Sequence, residues 1–153
     1  MVWKPNVVVA AIVERDGKFL LVEEEADGAL VLNQPAGHLD EGESLIEAVK
    51  RETLEETAWH IEPEALLSVY RWPHPQKSVT YLRFAFVGRA LRHESQRPLD
   101  HGIVRALWLT AEEIRNQIAR HRSPQVLRCL NDYLSGERYS LDLLKDFNTS
   151  GAS

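Results

Sequence analysis

The apolar positions in the first third of the chain occur in short runs that turn residues separate. Residues 7–13 form a continuous β-branched and apolar run, which predicts a strand buried on both faces. Asp16-Gly17 is a hairpin turn signal, so residues 19–22 are expected to return as a second strand. A further turn at residues 26–28 precedes a short predicted strand at 30–32.

The middle of the chain changes from a loop pattern to a helical pattern. Residues 33–42 contain one proline and two glycines and are expected to form a loop. Residues 44–57 contain neither glycine nor proline and are expected to be helical. Ser44 can cap this helix, with Glu47 three residues later completing a capping box.

The second half of the chain predicts three strands and two helices. The strands are expected at residues 66–70, 79–87 and 106–109, with a loop at 72–75. Thr110 is expected to cap a helix over 111–119. A last helix is expected to start at Ser123-Pro124 and to run to about residue 134, where Gly136 ends it.

This order of strands and helices predicts an α+β or α/β protein. The 153 residues suit one domain with its own core, and we find neither an internal repeat nor a dividing linker. We therefore expect a single domain over 1–153, with a loose polar tail at 148–153.

Composition and charge narrow the class of protein. A hydrophobic fraction of 44% is typical of a globular chain, and the net charge of -5 counts against binding to a nucleic-acid backbone. The single cysteine, Cys129, excludes an internal disulfide and lies in an apolar pattern, so we expect it to be buried. Because no signal peptide or membrane span is evident, we predict a cytoplasmic protein without a membrane partner.

Three carboxylates crowd one side of the predicted helix. At 3.6 residues per turn, Glu52, Glu55 and Glu56 fall within an arc of about 100° at the edge of the apolar face. Like charges at this spacing repel one another, and a divalent cation would offset the repulsion. Hard oxygen ligands suit Mg²⁺, with Mn²⁺ as the alternative.

The loop before this helix fits the same interpretation. Gly37 and Gly42 bracket it, and glycine lets a backbone approach a metal or a phosphate closely. Arg51 can pair with Glu43 and hold the loop against the helix. The glutamates alone are more typical of a solvated acidic helix, but the glycine, Glu43 and the Arg-Glu pair also stand at fixed spacings.

Those spacings resemble the box of the Nudix hydrolase family. The box has a glycine, five residues, a glutamate, seven residues and then Arg-Glu-U-x-Glu-Glu-x-Gly-U, where U is bulky and aliphatic. The matching residues are Gly37, Glu43, Arg51, Glu52, Glu55 and Glu56, whereas Thr53, Ala58 and Trp59 depart from the pattern. Ala58 stands where a helix end favours positive φ, which costs alanine about 1 kcal/mol.

Segments outside the box are similar to the NudJ-type branch of bacterial phosphatases in this family. They lie at residues 7–13, 17–24, 33–39, 81–86, 122–124 and 136–141. The resemblance implies an α/β/α sandwich, with a mixed sheet flanked by helices. It also implies hydrolysis of phosphoanhydride bonds in nucleoside tri- and diphosphates and in thiamine-pathway pyrophosphates.

The resemblance also implies roles for individual residues. The metal ligands would be Glu52, Glu55 and Glu56, with a main-chain carbonyl at Ala36 or Gly37. Glu43 and Arg51 would orient them, and Arg51 would also serve catalysis. The general base stays open between Glu55, Glu56 and an acid from a later loop, for which the candidates are Asp100, Glu112 and Glu113.

A small phosphorylated molecule is the expected partner, bound to a monomer or a homodimer. Candidate substrate-binding residues precede the box or follow its helix, and basic or aromatic side chains prevail among them: Asn33, Arg71, Trp72, Tyr81 and Arg83. His38 and His74 are further candidates. Ordinary packing is the alternative for each residue.

Two other functions stay open at this point. One is hydrolysis of ADP-ribose or dinucleoside polyphosphates, for which Pro73, Pro75 and Tyr81 lie near the relevant positions without clear register. The other is a non-catalytic nucleotide- or RNA-binding module with the same fold. The intact glutamates and the acidic charge favour the enzyme.

Overall fold

The structure is a computed structural model that describes residues 2–147, so the predicted loose tail at 148–153 lies outside the described residues. The strands are β1 (Asn6–Arg15), β2 (Lys18–Ala26), β3 (Ala29–Asn33), β4 (Ala36–His38), β5 (Trp59–Pro73), β6 (Thr80–His93) and β7 (Ile103–Thr110). The helices are α1 (Leu45–Thr57), α2 (Ala111–Asn116) and α3 (Pro124–Leu134), and short 3₁₀ turns span Ile118–Arg120 and Leu141–Leu143.

Strand β1 lies at the centre of a mixed sheet that contains all seven strands described above. The order along the main path is β3-β2-β1-β6-β5, while β4 pairs with β1 and β7 pairs with β2. Strand β6 runs parallel to β1, and β2 and β4 run antiparallel to it. The continuous apolar run of β1 follows from this position, since a strand buried on both faces has no polar side.

Apolar clusters cover both faces of the sheet. Val9, Ala11 and Val13 of β1 pack in one cluster with Ala48 and Val49 of α1. Ile12, on the opposite face of the strand, packs in a second cluster with residues of α2 and α3, namely Ile114, Cys129 and Leu130. The helices therefore flank the sheet on both sides, and the predicted α+β sandwich is confirmed.

Turn and cap residues adopt the conformations that their positions predict. Asp16 and Gly17 have φ values of 53° and 80°, which is the left-handed geometry of a tight hairpin. Ser44 and Glu47 form the predicted capping box at the start of α1. Ala58 ends this helix at φ 65°, so alanine occupies the strained cap position that the pattern indicates.

Five predicted elements have bounds that differ from those in the structure. The loop expected at 33–42 contains strand β4, and the loop expected at 72–75 begins only after Pro73. Strands β5 and β6 extend well beyond 66–70 and 79–87, because they pair with each other from Trp59 to Pro73, with register shifts at three points. The helix expected over 111–119 ends at Asn116, and a 3₁₀ turn follows.

Among residues 2–147, no helix has the length and apolar character that crossing a membrane requires.

Candidate active site

The outer edge of β4 binds two side chains of helix α1. The Ala36 amide donates to Oε1 of Glu56 at 3.0 Å, and the His38 carbonyl accepts from Nη2 of Arg51 at 3.0 Å. The opposite edge of β4 pairs with β1, with Gly37 in register with Val9. Because the backbone groups of a strand alternate in direction, the short strand holds the sheet on one side and the box helix on the other.

Gly37 leaves the space that the Glu52 carboxylate occupies. A Cβ at Gly37 would lie 2.1 Å from Cδ and 2.1 Å from Oε2 of Glu52. Such distances are impossible, so any other residue would displace the carboxylate. The glycine of the box therefore permits a close approach between the β4 backbone and the acidic edge of α1.

Arg51 forms hydrogen bonds and ion pairs with the carboxylates that surround it. Its Nε and Nη2 donate to the two oxygens of Glu43 at 2.9 and 2.6 Å, which confirms the predicted pair. Its Nη1 donates to Glu52 at 2.7 Å and to Glu55 at 3.1 Å, and Asp40 lies 3.3 Å from Nη2. The planar guanidinium thus orients both ends of the acidic cluster at once.

The box carboxylates differ in their protonation behaviour. Burial raises the pKa of Glu56 to about 9, although the Ala36 amide acts in the opposite direction. Burial also raises the pKa of Glu52, which the hydrogen bond from Arg51 partly offsets. The pKa of Glu43 is lowered, chiefly by its hydrogen bond to Arg51. Burying Glu52 and Glu56 is unfavourable for their charged forms, which a cation would stabilise.

A further acid, Asp100, joins the box glutamates from the loop between β6 and β7. Oxygen atoms of Glu52, Glu55 and Asp100 lie within 4.8 Å of one another. The Asp100 amide donates to the Glu55 carbonyl at 3.0 Å, which holds that loop against α1. Asp100 was one of three predicted loop acids. Glu113 instead completes the cap of α2, and Glu112 lies in the first turn of that helix.

A cavity of about 460 Å³ extends from Glu52 and Glu56 across the sheet. Its lining includes these predicted residues: Asn33, Ala36, Gly37, His38, Trp72, His74, Tyr81 and Arg83. Trp72 and Tyr81 form a stacked pair with ring centroids 6.0 Å apart. Arg71 does not line the cavity, because its side chain alternates to the face opposite Trp72.

Sequence reasoning missed several residues that line the cavity. They come from the end of β2 and the turn after it, from the β5–β6 hairpin, and from the first turn of α3 and the residues just before it: Glu24, Asp27, Lys77, Arg122, Ser123 and Gln125. Ser123-Pro124 was identified as a helix start and as part of a segment similar to the NudJ-type branch, without a role in the site. No local pattern shows that this start faces the box helix.

Two departures from the box are accommodated by local contacts. The Thr53 hydroxyl is buried and donates to the Val49 carbonyl at 2.8 Å, so its polar atom is satisfied inside the helix. Trp59 packs edge-on against Trp108 with centroids 5.6 Å apart, and Arg15 lies over its ring. Neither substitution alters a carboxylate or the Gly37 contact.

The fold and this arrangement define a Nudix hydrolase, and the chain belongs to that family. The family model for the NUDIX domain matches residues 3–129. Nudix hydrolases generally use divalent metals, and proteins of this fold bind small phosphorylated substrates such as ADP-ribose.

Similar proteins agree with this assignment. Phosphatase NudJ of Escherichia coli strain K12 is 41% identical over 146 residues, which cover 95% of this chain and 94% of the relative. A solved NUDIX hydrolase from Nitrosomonas europaea is 51% identical, with a TM-score of 0.94 over 96% of this chain and 100% of that chain. The NUDIX domain of Shewanella oneidensis NrtR, complexed with ADP ribose, shares the fold at 17% identity and a TM-score of 0.68, covering 88% of this chain and 89% of that chain.

Proposed function

We propose that this protein is a divalent-cation-dependent hydrolase of phosphoanhydride bonds in ring-bearing pyrophosphates. Nucleoside tri- and diphosphates are the main proposed substrates, with thiamine-pathway pyrophosphates as further ones. One observation carries the proposal: a single cavity is lined by Glu52 and Glu56 at one end and by Trp72 and Tyr81 elsewhere in its wall. Such a cavity can hold a charged phosphate chain and a flat ring at the same time.

The donor set at the box suits Mg²⁺, with Mn²⁺ as the alternative. The proposed ligands are carboxylates of Glu52, Glu55 and Glu56 and the Ala36 carbonyl, all of them hard oxygen donors. The strand alternation favours Ala36 over Gly37, because the Ala36 amide faces α1 whereas Gly37 pairs with Val9. When bound, the cation neutralises charge on the phosphates and lowers the pKa of the attacking water.

Residues around the proposed metal site would accept the proton of the attacking water and position the ligands. We propose that Glu55 accepts the proton of the attacking water. It is the most exposed of the three proposed glutamate ligands, with 32% of its side chain accessible, and Arg51 holds it at 3.1 Å. Asp100 adjoins the same oxygen cluster and is the second candidate for this role. Arg51 positions Glu52 and Glu55 and does not itself contact the substrate in this proposal.

The organic part of the substrate would lie away from the box. Trp72 and Tyr81 offer ring faces for stacking, which is tolerant of ring identity and is worth about 1–3 kcal/mol per base. Phosphatase NudJ, the relative that covers almost the whole chain, is described as a phosphatase. A broad phosphohydrolase fits both the stacking surface and that similarity.

A substrate panel with separated products tests this function. The purified protein would be incubated with Mg²⁺ and nucleoside triphosphates, nucleoside diphosphates, thiamine pyrophosphate, ADP-ribose and a dinucleoside tetraphosphate. We expect release of phosphate or pyrophosphate from the first three kinds of substrate. Cleavage confined to ADP-ribose or the dinucleotide would replace the proposed substrate class, and no cleavage of any compound would overturn the proposal.

A further inference from the structure

We infer that Arg83, Gln125 and Asn33 form a specificity floor that recognises the edge of a planar ring carrying an acceptor nitrogen beside an exocyclic amine, as in cytosine or adenine. This inference rests on the proposed function, because it concerns the organic half of the same substrate. All three residues line the cavity that begins at Glu52 and Glu56. Gln125 is a new candidate, whereas Asn33 and Arg83 were already predicted to bind the substrate.

The sheet register places the Arg83 backbone two strands away from β4, the strand whose Ala36 amide binds Glu56. Val8 of β1 pairs with His38 of β4 on one side and with Arg83 of β6 on the other. Neighbouring strands are about 4.8 Å apart, so the Arg83 backbone lies roughly 10 Å from the strand that binds Glu56. That is about the length of a pyrophosphate joined to a ring. A substrate whose phosphates lie at the box would therefore bring its ring to Arg83.

The floor contains buried polar atoms without partners. Within the described residues, Nε of Arg83, Oε1 of Gln125 and Oδ1 of Asn33 are buried and make no hydrogen bond. Arg83 is only 3% exposed and Gln125 only 8% exposed, so both are built into the cavity wall. An unsatisfied buried polar group is unfavourable by about 1–3 kcal/mol, and a complementary ligand relieves this.

The neighbours of these side chains fix their positions. Nη2 of Arg83 donates to Oε1 of Gln34 at 2.7 Å, and Nε2 of Gln34 donates to the Val126 carbonyl at 2.9 Å. Nε2 of Gln125 lies 3.4 Å from Oγ of Ser123, which leaves its oxygen free for the ligand. The buried atoms that lack partners therefore comprise one N–H donor, Nε of Arg83, and two carbonyl acceptors, Oε1 of Gln125 and Oδ1 of Asn33.

This donor and acceptor set fits an amine-bearing ring better than a phosphate. The two amide oxygens of Gln125 and Asn33 would repel an anion, whereas they can accept both hydrogens of an exocyclic amine. Nε of Arg83 can donate to the adjacent ring nitrogen. The start of α3 also has no free backbone N–H groups that could bind a phosphate. Pro124 lacks an N–H, and the Gln125 and Val126 amides donate to Ser123.

Cytidine and uridine nucleotides make a matched test, because they differ in this edge. Binding of CMP and UMP, measured by calorimetry, needs no hydrolysis. The kcat/KM for CTP and UTP adds the catalytic measurement. The variants are Gln125→Leu and Arg83→Lys, each checked by its melting temperature. Gln96→Leu, on an exposed loop position, is the matched control.

We expect the unaltered protein to prefer CMP over UMP and CTP over UTP by about tenfold or more. Gln125→Leu and Arg83→Lys should each reduce both ratios to within about twofold, while Gln96→Leu keeps them.

Equal binding of CMP and UMP by the unaltered protein, or ratios that Gln125→Leu leaves intact, would overturn the inference. If Arg83→Lys does not fold, Gln125→Leu alone decides. A CMP preference without any hydrolysis would instead refute the proposed function and leave the floor standing.

Discussion

The Glu56 carboxylate accepts a hydrogen bond from the Ala36 amide at 3.0 Å, so a box glutamate is bound to the edge of the sheet before any ligand arrives. Glu56 is only 8% exposed, and burial raises its pKa to about 9. We therefore expect this carboxyl to hold a proton near neutral pH when no metal is bound. Metal binding must release that proton, so cation affinity should rise with pH up to about pH 9.

Replacing Glu56 with glutamine should raise the stability of the metal-free protein at high pH and should lower catalytic activity. The folded pKa exceeds the ordinary value of 4.5, so the folded state binds more protons than the unfolded state between these two pH values. The free energy of unfolding should accordingly fall as pH rises from about 4.5 to 9. Glu56→Gln removes this contribution and should raise the free energy of unfolding at pH 8 by at least about 1 kcal/mol without metal, while kcat falls at least about a hundredfold.

Urea unfolding at pH 5 and pH 8 in EDTA checks the stability part. Glu62→Gln, at an exposed position of β5, serves as the matched control and should follow the unaltered protein at both pH values. Near-normal turnover of Glu56→Gln would show that the box is not the active site. If Glu56→Gln changed the free energy of unfolding by the same amount at both pH values, the Glu56 carboxylate would not be the source of the pH dependence of stability.

A methyl group at Gly37 should damage activity more than stability. Gly37→Ala places a Cβ where the Glu52 carboxylate lies, and this end of a flexible side chain can move away while the fold persists. We expect kcat to fall by about tenfold or more, with a melting temperature within a few degrees of normal. Gly88→Ala is the control, since its Cβ would press on the buried Ile61 side chain at 3.0 Å and should lower stability instead. A fully active Gly37→Ala protein would contradict this contact.

Removing Arg51 should affect both stability and turnover. Glu43 and Glu52, with side chains 15% and 12% exposed, would lose their cationic partner, which we expect to lower the free energy of unfolding by about 2 kcal/mol. Arg128→Ala breaks a surface pair with Asp132 and should change it by less than about 1 kcal/mol. Denaturant unfolding and kcat of both variants provide the comparison. A stable, fully active Arg51→Ala protein would refute the orienting role.

The stacked pair Trp72 and Tyr81 should set the affinity for ring-bearing substrates. Trp72→Ala or Tyr81→Ala should raise KM by about tenfold while leaving the dependence on Mg²⁺ unchanged. Trp3→Ala removes a tryptophan that is 67% exposed and should leave KM unaltered. Steady-state kinetics with melting temperatures distinguish the roles, because a lower melting temperature with an unchanged KM would mean that the pair only packs.

The parts of the site that lie close together in the chain could be predicted from the sequence. The spacing within one helix places Glu52, Glu55 and Glu56 on one side, and Arg51 reaches Glu43 across eight residues. The left-handed cap at Ala58 also follows from local position. These features depend on helical geometry alone, which the sequence pattern expresses directly.

The parts that depend on contacts between distant segments could not be predicted in the same way. Strand β4 has only three residues and exists because it pairs with β1. Asp100 reaches the box from the loop after β6, and Gln125 at the start of α3 lines the same cavity as Arg83 of β6. The face on which Arg71 lies depends on the β5 register, which one sequence does not specify.

The dependence of hydrolysis on a divalent cation tests the central claim most directly. The protein would be treated exhaustively with EDTA, and phosphate and pyrophosphate release from CTP would be measured before and after Mg²⁺ is returned, with Glu56→Gln in parallel. We expect no hydrolysis in EDTA, full recovery with Mg²⁺, and at least about a hundredfold lower turnover in the variant. Hydrolysis that persists in EDTA, or a variant that recovers as fully as the unaltered protein, would contradict a cation-dependent reaction at these glutamates.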